Sequence, residues 1–149
     1  MSDRPSLRVV PFGTAEPTTR RPLRILVADD DRDTATTLAV VLRDEGHEVD
    51  TVLRGDEVLE VVRLMRPDVV IIDVNMPGMS GYAVAREIRE RHSAAGPHLI
   101  AISGVWTTPS EQMLGKAVGF DHYLRKPCDP RDVIRLLQPL RLSRSATAG

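Results

Sequence analysis

Several features that would point to a specialised class of protein are scarce in this sequence. Its 149 residues contain one cysteine, so an internal disulfide framework is excluded. Lys and Arg number 20 against 21 Asp and Glu, and a net charge of −1 provides no basic field for nucleic acid. No apolar stretch approaches the roughly 18 residues that a membrane span needs, and the N-terminus lacks the apolar core of a signal peptide. We therefore expect a cytoplasmic protein that binds neither membranes nor nucleic acid directly.

The composition supports one globular domain between two tails. Hydrophobic residues make up 42% of the chain and charged residues 28%, values typical of a chain that buries a core. Residues 1–22 contain four prolines and show no periodicity, which predicts a flexible tail. Residues 142–149 are mostly small and polar, which predicts a second, disordered tail. The ordered domain is therefore predicted over residues 23–141.

Within that domain, short apolar runs alternate with segments of helical periodicity. The predicted strands are 23–28, 47–53, 68–73, 98–103 and 121–125. The predicted helices are 33–45, 55–66, 82–91, 108–118 and 129–139, and the last is expected to end near Pro139. Strict alternation favours right-handed crossovers, and hence a five-stranded parallel sheet with five helices on its two faces. The predicted fold class is α/β, doubly wound.

Polar side chains gather where the predicted strands end, at the edge where such sheets carry their chemistry. Three consecutive aspartates, 29–31, follow the first strand, and Asp73 ends the third. Ser103 ends the fourth strand, and Lys126 follows the fifth. Carboxylates ~5 Å apart repel by roughly 3 kcal/mol at an effective dielectric near 20, so a cation is needed to hold them together. Mg²⁺ suits this set, because it takes a few carboxylates and keeps waters that phosphate oxygens can replace.

These stretches resemble the receiver domain of two-component response regulators. The resemblance covers about residues 22–140 and rests on 25–30 (ILVADD), 69–78 (VVIIDVNMPG), 101–104 (AISG) and 123–127 (YLRKP). It implies a flavodoxin-like fold with strand order 2-1-3-4-5. It also implies a stand-alone, single-domain protein similar to the chemotaxis regulators.

The resemblance implies a role for each residue at the strand ends. Asp73 is similar to the aspartate that accepts the phosphoryl group, and Lys126 to the lysine that pairs with the phosphate. Asp29 and Asp30 are similar to the acidic pair that organises Mg²⁺. The backbone carbonyl of Asn75 and the Asp73 carboxylate would complete the protein ligands of the ion.

Two further residues match the family's switch. Ser103 matches the switch hydroxyl, and Tyr123 matches the switch aromatic. Phosphorylation would draw Ser103 and Lys126 toward the phosphoryl oxygens and let Tyr123 turn from an exposed to a buried position. The change would reach the surface formed by the fourth helix, fifth strand and fifth helix, which is also where the resemblance allows a homodimer. A cis peptide bond before Pro127 is implied as well.

The function that we expect is that of a phosphoacceptor response regulator in a phosphorelay. The phosphoryl group would come from a histidine kinase or a phosphotransfer protein, and the output would be binding to a downstream protein. About nine residues follow Leu140, too few for an output domain. Activity would be limited to self-catalysed phosphotransfer and slow autodephosphorylation. The resemblance implies that Asn75 and Val105 flank the phosphoryl group, and because some fast-hydrolysing members of the family have a polar side chain where this chain has Val105, we expect a long-lived phosphoryl state.

Three alternatives remain open at this point. The stretch 119–123 (GFDHY) is typical of the receiver of a hybrid-kinase relay, which would act as a phosphate shuttle or sink. A Mg²⁺-dependent phosphohydrolase would use a similar sheet, but such enzymes want a second aspartate where this chain has Asn75. A nucleotide-binding fold is disfavoured, because no glycine-rich loop follows the first strand.

Overall fold

The computed structural model describes residues 21–92, 95–104 and 108–148, without the side chains of 143–148. Five parallel strands form one sheet in the order β2-β1-β3-β4-β5. The strands are β1 (Arg24–Ala28), β2 (Glu48–Val52), β3 (Val69–Asp73), β4 (His98–Ser103) and β5 (His122–Arg125). The predicted fold class and strand order are confirmed. The N-terminal tail predicted at 1–22 lies almost entirely outside the described residues.

Five α-helices cover the two faces of the sheet. They are α1 (Arg32–Asp44), α2 (Val58–Met65), α3 (Gly81–His92), α4 (Pro109–Val118) and α5 (Pro130–Ala148). A 3₁₀ turn, Gly55–Glu57, leads into α2. Within the described part of the chain, no helix combines the length and apolar character needed to cross a membrane.

The central strand β3 explains why the sheet needs helices on both sides. All five of its residues are buried, which matches its nearly all β-branched, apolar sequence. Alternate side chains enter two different cores. One core contains β3 residues and residues from α2 and α3, among them Val70, Ile72, Val62 and Ile88. The other contains β3 residues and residues from α1 and α5, among them Val69, Ile71, Leu38 and Leu137.

The prediction that the last helix ends near Pro139 is wrong. Helix α5 continues through Pro139 to Ala148, and so includes residues that the sequence assigns to a disordered tail. Proline removes one backbone donor, and the carbonyl left without a partner is that of Arg135. Both residues are exposed, so water can reach that side of the helix. The usual penalty for proline inside a helix is smallest where the lost bond can be replaced by hydration.

Candidate functional site

Two buried aspartates lie side by side at the carboxyl edge of the sheet. Ala28 of β1 pairs with Ile72 of β3, and the next residue of each chain segment is an aspartate. Asp29 is 2% exposed and Asp73 is 4% exposed. Asp30 is exposed, yet each of the three carboxylates offers an oxygen within 4.8 Å of the others. The three acidic residues that the sequence analysis assigned to Mg²⁺ are therefore brought together.

An ammonium group faces the two buried carboxylates. The Nζ atom of Lys126 lies 3.0 Å from Oδ2 of Asp73 and 3.6 Å from Oδ2 of Asp29. The turn after β5 carries Lys126 to this place, and its backbone N–H donates to the Ser103 carbonyl at 3.0 Å. The peptide bond to Pro127 is cis, as the resemblance implied. One lysine therefore contacts two acids that come from different strands.

Burial and the neighbouring charged groups have opposing effects on the pKa values of Asp73 and Lys126. Burial raises the pKa of Asp73 to about 6, opposed by hydrogen bonds from Lys126 and the Asn75 backbone, while the charge of Asp29 adds to the rise. Burial alone would lower the pKa of Lys126, but its hydrogen bond to Asp73 and the charge of Asp29 outweigh that effect and raise it. The Lys126 ammonium therefore stays charged beside the carboxylates.

The donor set of this site fits a hard divalent cation. Three carboxylates converge within 4.8 Å, and a single ammonium faces the two buried ones. Carboxylate oxygens are the ligands that Mg²⁺ takes in proteins, usually together with water. Because one lysine cannot neutralise three acids, the cluster keeps a negative charge that a cation would balance. The acidic cluster could therefore hold a metal ion.

Asp31, the third acid of the run after β1, has a different task. Its Oδ1 atom accepts hydrogen bonds from the backbone N–H groups of Asp33 and Thr34, at 3.1 and 3.3 Å, and so caps α1. Its own N–H donates to Oδ1 of Asp29 at 2.9 Å. The run thus divides into two acids at the site and one at the helix start.

Asn75 lies in the loop that follows β3. Its backbone N–H donates to Oδ1 of Asp73 at 3.1 Å, and its side chain is exposed. The sequence analysis assigned its carbonyl to Mg²⁺, and that assignment stays a prediction. The contact that is present orients the Asp73 carboxylate, because its two oxygens are then held from opposite sides by Asn75 and Lys126.

The two residues assigned to the switch lie on β4 and β5. Ser103 is 1% exposed and ends β4 beside the Lys126 backbone. Tyr123 is half-buried in β5, where its hydroxyl lies 3.3 Å from Oε1 of Gln112 in α4. Tyr123 thereby joins the sheet to α4. Val105, on which the predicted phosphoryl lifetime depends, lies outside the described residues.

One contact of the site was not anticipated from the sequence. The 3₁₀ turn before α2 packs on the loop after β3, and the Gly55 N–H donates to the Pro77 carbonyl at 3.0 Å. The sequence analysis predicted a helix from Gly55, whereas Gly55 lies in the 3₁₀ turn and α2 begins at Val58. The partner of Gly55 is distant in sequence and could not be identified.

The fold agrees with what a comparison with known protein families shows. The model of the response regulator receiver domain matches residues 25–138. The chain belongs to this family. The family favours the receiver interpretation over a phosphohydrolase or a nucleotide-binding fold.

One of the curated relatives is about twice as long as the region that it shares with this chain. The chain is 36% identical over 111 residues to the DNA-binding response regulator MtrA of Mycobacterium tuberculosis (strain ATCC 25618 / H37Rv), covering 74% of this chain and 47% of that protein. The chain spans about half the length of the curated relatives it matches first. The receiver region is therefore what the two proteins share.

Solved receiver structures superpose on most of the chain. The chemotaxis response regulator CheY4 of Vibrio cholerae has a TM-score of 0.73 and 31% identity, covering 80% of this chain and 98% of that one. The receiver domain of the sensor histidine kinase PA1611 from Pseudomonas aeruginosa PAO1 has a TM-score of 0.72 and 25% identity, covering 81% and 98%. That structure has a magnesium ion coordinated in its active-site cleft.

Proposed function

We propose that this receiver domain accepts a phosphoryl group on Asp73 with the help of Mg²⁺ and signals by binding another protein. One observation carries the proposal. The Asp73 carboxylate lies in a cluster of three acids that could hold a cation, and it contacts the Lys126 ammonium at 3.0 Å. The phosphoryl donor would be a histidine kinase or a phosphotransfer protein.

Phosphoryl transfer requires little covalent catalysis from the protein. A carboxylate oxygen of Asp73 forms a bond to phosphorus, while the bond between phosphorus and the donor's imidazole nitrogen breaks and leaves its electron pair on that nitrogen. Asp29, Asp30, Asp73 and the Asn75 carbonyl would hold Mg²⁺, which would supply positive charge to the phosphoryl oxygens. Lys126 supplies a second positive charge.

Asp73 must be ionised to act as the nucleophile. Burial raises its pKa to about 6, and the hydrogen bonds from Lys126 and the Asn75 N–H oppose that rise. These two donors also fix the direction of the carboxylate, since each binds a different oxygen. Positioning of the nucleophile and neutralisation of charge are the main contributions in such transfers.

The phosphoryl group of the product would carry nearly two negative charges, where the ionised Asp73 carboxylate carried one, and it would add three acceptor oxygens. Ser103 and Lys126 would be the donors that move toward these oxygens, and Tyr123 would be the aromatic residue that follows. Shifting a two-state equilibrium from 1:99 to 99:1 requires ~5.5 kcal/mol. Charge-assisted hydrogen bonds of roughly 1.5–3 kcal/mol each would supply a large part of that. The readout would be a downstream protein, or a second copy, on the α4–β5–α5 surface.

A second role is favoured by one of the comparisons. The receiver domain of PA1611 belongs to a sensor histidine kinase, so a similar domain can serve inside a relay. In that role the chain would pass its phosphoryl group to, or drain it from, a phosphotransfer protein. Rapid return of label from Asp73 to a phosphorylatable histidine protein would favour the relay role. Either role involves slow autodephosphorylation and no turnover of external substrates.

Labelling with acetyl phosphate tests the proposal. We expect Mg²⁺-dependent incorporation of one phosphoryl group, detected by intact mass, and its loss in Asp73→Asn and with a chelator. Asp30→Asn should weaken labelling at limiting Mg²⁺. Asp31→Asn is the matched control, because Asn keeps the helix cap and this acid lies outside the cluster. Labelling that survives Asp73→Asn or ignores the chelator would refute the assignment.

The lifetime of the product is a separate part of the proposal. The flanking residues Asn75 and Val105 lead us to expect a phosphoryl group that persists for many minutes in the purified protein with Mg²⁺. Decay of the intact mass after removal of acetyl phosphate measures it. A half-life of seconds would contradict this part and leave the assignment of Asp73 intact.

A further inference from the structure

Two loops at the site fit together through backbone contacts that leave no spare room. We call residues 54–57, before α2, the 54–57 turn, and residues 74–80, after β3, the 74–80 loop. The Gly55 N–H donates to the Pro77 carbonyl at 3.0 Å. A Cβ atom on Gly55 would lie 1.8 Å from the carbonyl oxygen of Met79 and 2.7 Å from its carbonyl carbon. Since backbone atoms occupy that space, no side-chain rotation can create it.

The 74–80 loop also has a glycine that packs closely against the 54–57 turn. Gly78 has φ +86°, and a Cβ atom there would lie 2.6 Å from Oδ1 of Asp56 and 3.0 Å from Nη2 of Arg54. Arg54 holds the Asp56 carboxylate by two hydrogen bonds, at 3.0 and 3.2 Å. Each segment therefore presents a glycine to the other, and the ion pair closes the contact from outside.

The ends of the 74–80 loop are fixed at the phosphoacceptor. The Asn75 N–H donates to Oδ1 of Asp73 at 3.1 Å, and the Gly81 N–H donates to the Val74 carbonyl at 2.8 Å. A Cβ atom on Gly81 would lie 2.8 Å from the Asp73 carbonyl oxygen. With both ends held there, the middle of the loop is supported by the 54–57 turn.

We propose that the 54–57 turn positions the 74–80 loop for Mg²⁺, with Gly55 as the positioning residue that sets the place of the Asn75 backbone. The inference rests on the proposed function, in which the Asn75 carbonyl binds the ion. Mg²⁺ demands near-ideal octahedral geometry, so a loop displaced by about 0.5 Å loses affinity. Substitution of residues that support metal ligands typically costs about 10–100-fold in affinity.

Gly55→Ala tests the proposal directly. We expect the dissociation constant for Mg²⁺, measured by isothermal titration calorimetry, to rise about tenfold or more. In the metal-free protein, the Asn75 amide resonance should move in the ¹H–¹⁵N spectrum. The second readout does not depend on metal or on activity. A Gly55→Ala variant with the wild-type dissociation constant and an unmoved Asn75 resonance would overturn the inference.

Gly46→Ala is the matched control. Gly46 follows α1 with φ +98°, and a Cβ atom there would meet nothing within 4 Å. The substitution therefore strains the backbone without touching the 74–80 loop. It should lower stability and leave Mg²⁺ affinity within about twofold of wild type. A loss in Gly46→Ala as large as in Gly55→Ala would show that general destabilisation is the cause and would overturn the inference.

Arg54→Gln provides a test that does not depend on Gly55→Ala folding. Arg54 is about half exposed, so its loss is expected to be tolerated. Removing a positive charge would by itself strengthen Mg²⁺ binding, whereas releasing Asp56 from its contact at Gly78 should weaken it. We expect the dissociation constant to rise about two- to threefold. An unchanged or lower value would contradict the positioning role of the turn.

The wild-type measurement separates the two claims. If the wild-type protein neither binds Mg²⁺ nor accepts a phosphoryl group, the proposed function fails and this inference fails with it. If the wild type does both and the turn variants match it, only the inference fails.

Discussion

The Nζ atom of Lys126 lies 3.0 Å from Oδ2 of Asp73, although 53 residues separate the two in the sequence. The same ammonium lies 3.6 Å from Asp29, so one cation serves two buried carboxylates. Lys126 and a metal ion would therefore compete for the same negative charge before phosphorylation, and would share the phosphoryl oxygens afterwards. Removal of the lysine should therefore have opposite effects on Mg²⁺ binding and on phosphorylation.

Lys126→Met is expected to strengthen Mg²⁺ binding and to slow phosphorylation. Two unit charges ~4 Å apart interact by ~1 kcal/mol even in bulk water, and by more at a buried site, so loss of the competing ammonium should lower the dissociation constant at least about fivefold. Loss of a charge partner for the phosphoryl oxygens should slow labelling about 100-fold. Calorimetry and the labelling rate measure the two effects. The only other lysine, the exposed Lys116, supplies the control Lys116→Met, which should change neither.

Tyr123→Ala should leave phosphorylation of Asp73 intact and should abolish most of the conformational response of α4. Tyr123 contacts Gln112 of α4 and lies outside the acidic cluster, so the rate of Asp73 labelling should stay within about twofold of wild type. The shift of α4 amide resonances on phosphorylation should be largely lost. Tyr123→Phe removes only the hydroxyl and should keep most of the response. A Tyr123→Ala protein that cannot be labelled would count against the switch role.

His47 should make stability depend on pH. Its Nδ1 atom accepts the Leu23 N–H at 3.0 Å, and burial, helped by the positive charge of Arg141, lowers the pKa of His47 below the usual 6.5. The unfolded chain therefore takes up this proton first as the pH falls. The contribution of neutral His47 to the free energy of unfolding is therefore complete above about pH 6.5, and it is lost progressively as the pH falls from there to the folded-state pKa.

His47→Asn should remove this dependence, because the amide oxygen can accept the same N–H and does not titrate. Urea unfolding of both proteins between about pH 7.5 and pH 5 measures it. The stability advantage of wild type over the variant should shrink as the pH falls. A difference that stays constant over this range would contradict the prediction.

Arg89 should be a large single contributor to stability. Its guanidinium donates to the carbonyls of Gly119 and Pro97, at 3.0 and 2.8 Å, and to Asp121 at 2.7 Å. Arg89→Lys cannot reproduce three donors in a plane and should cost about 2 kcal/mol in the free energy of unfolding. Urea unfolding measures this. The exposed Arg86 on the same helix gives the control Arg86→Lys, and equal effects in both would refute the prediction.

Structural features that depend only on a few neighbouring residues were predictable from the sequence. The start of α4 is an example, since Thr108 accepts the Glu111 N–H at 3.2 Å and Glu111 accepts the Thr108 N–H at 3.4 Å, with Pro109 between them. The site was also accessible, because parallel strands bring their carboxyl ends to one edge. Knowing that Asp29 follows one strand and Asp73 ends another was enough to place them together.

Features that depend on distant partners could not be predicted. Arg89 looks like an ordinary solvent-facing residue of an amphipathic helix until its three acceptors are known. Gly55 was predicted as the first residue of a helix, and the Met79 carbonyl that forbids a side chain there lies in another loop. Pro139 misled the prediction for the converse reason, because its effect depends on whether water can reach the side of the helix that it faces.

The bond from the Asp31 N–H to Asp29 has a consequence for the start of α1. Oδ1 of Asp29 accepts that N–H while Oδ2 faces Lys126, and Asp31 in turn caps the amides of Asp33 and Thr34. A cation bound at Asp29 would alter the hydrogen bond from the Asp31 N–H to Asp29, which is the first in this series. The rate of deuterium uptake at the Thr34 amide should therefore report the fraction of acidic clusters that hold a cation, without an attached dye.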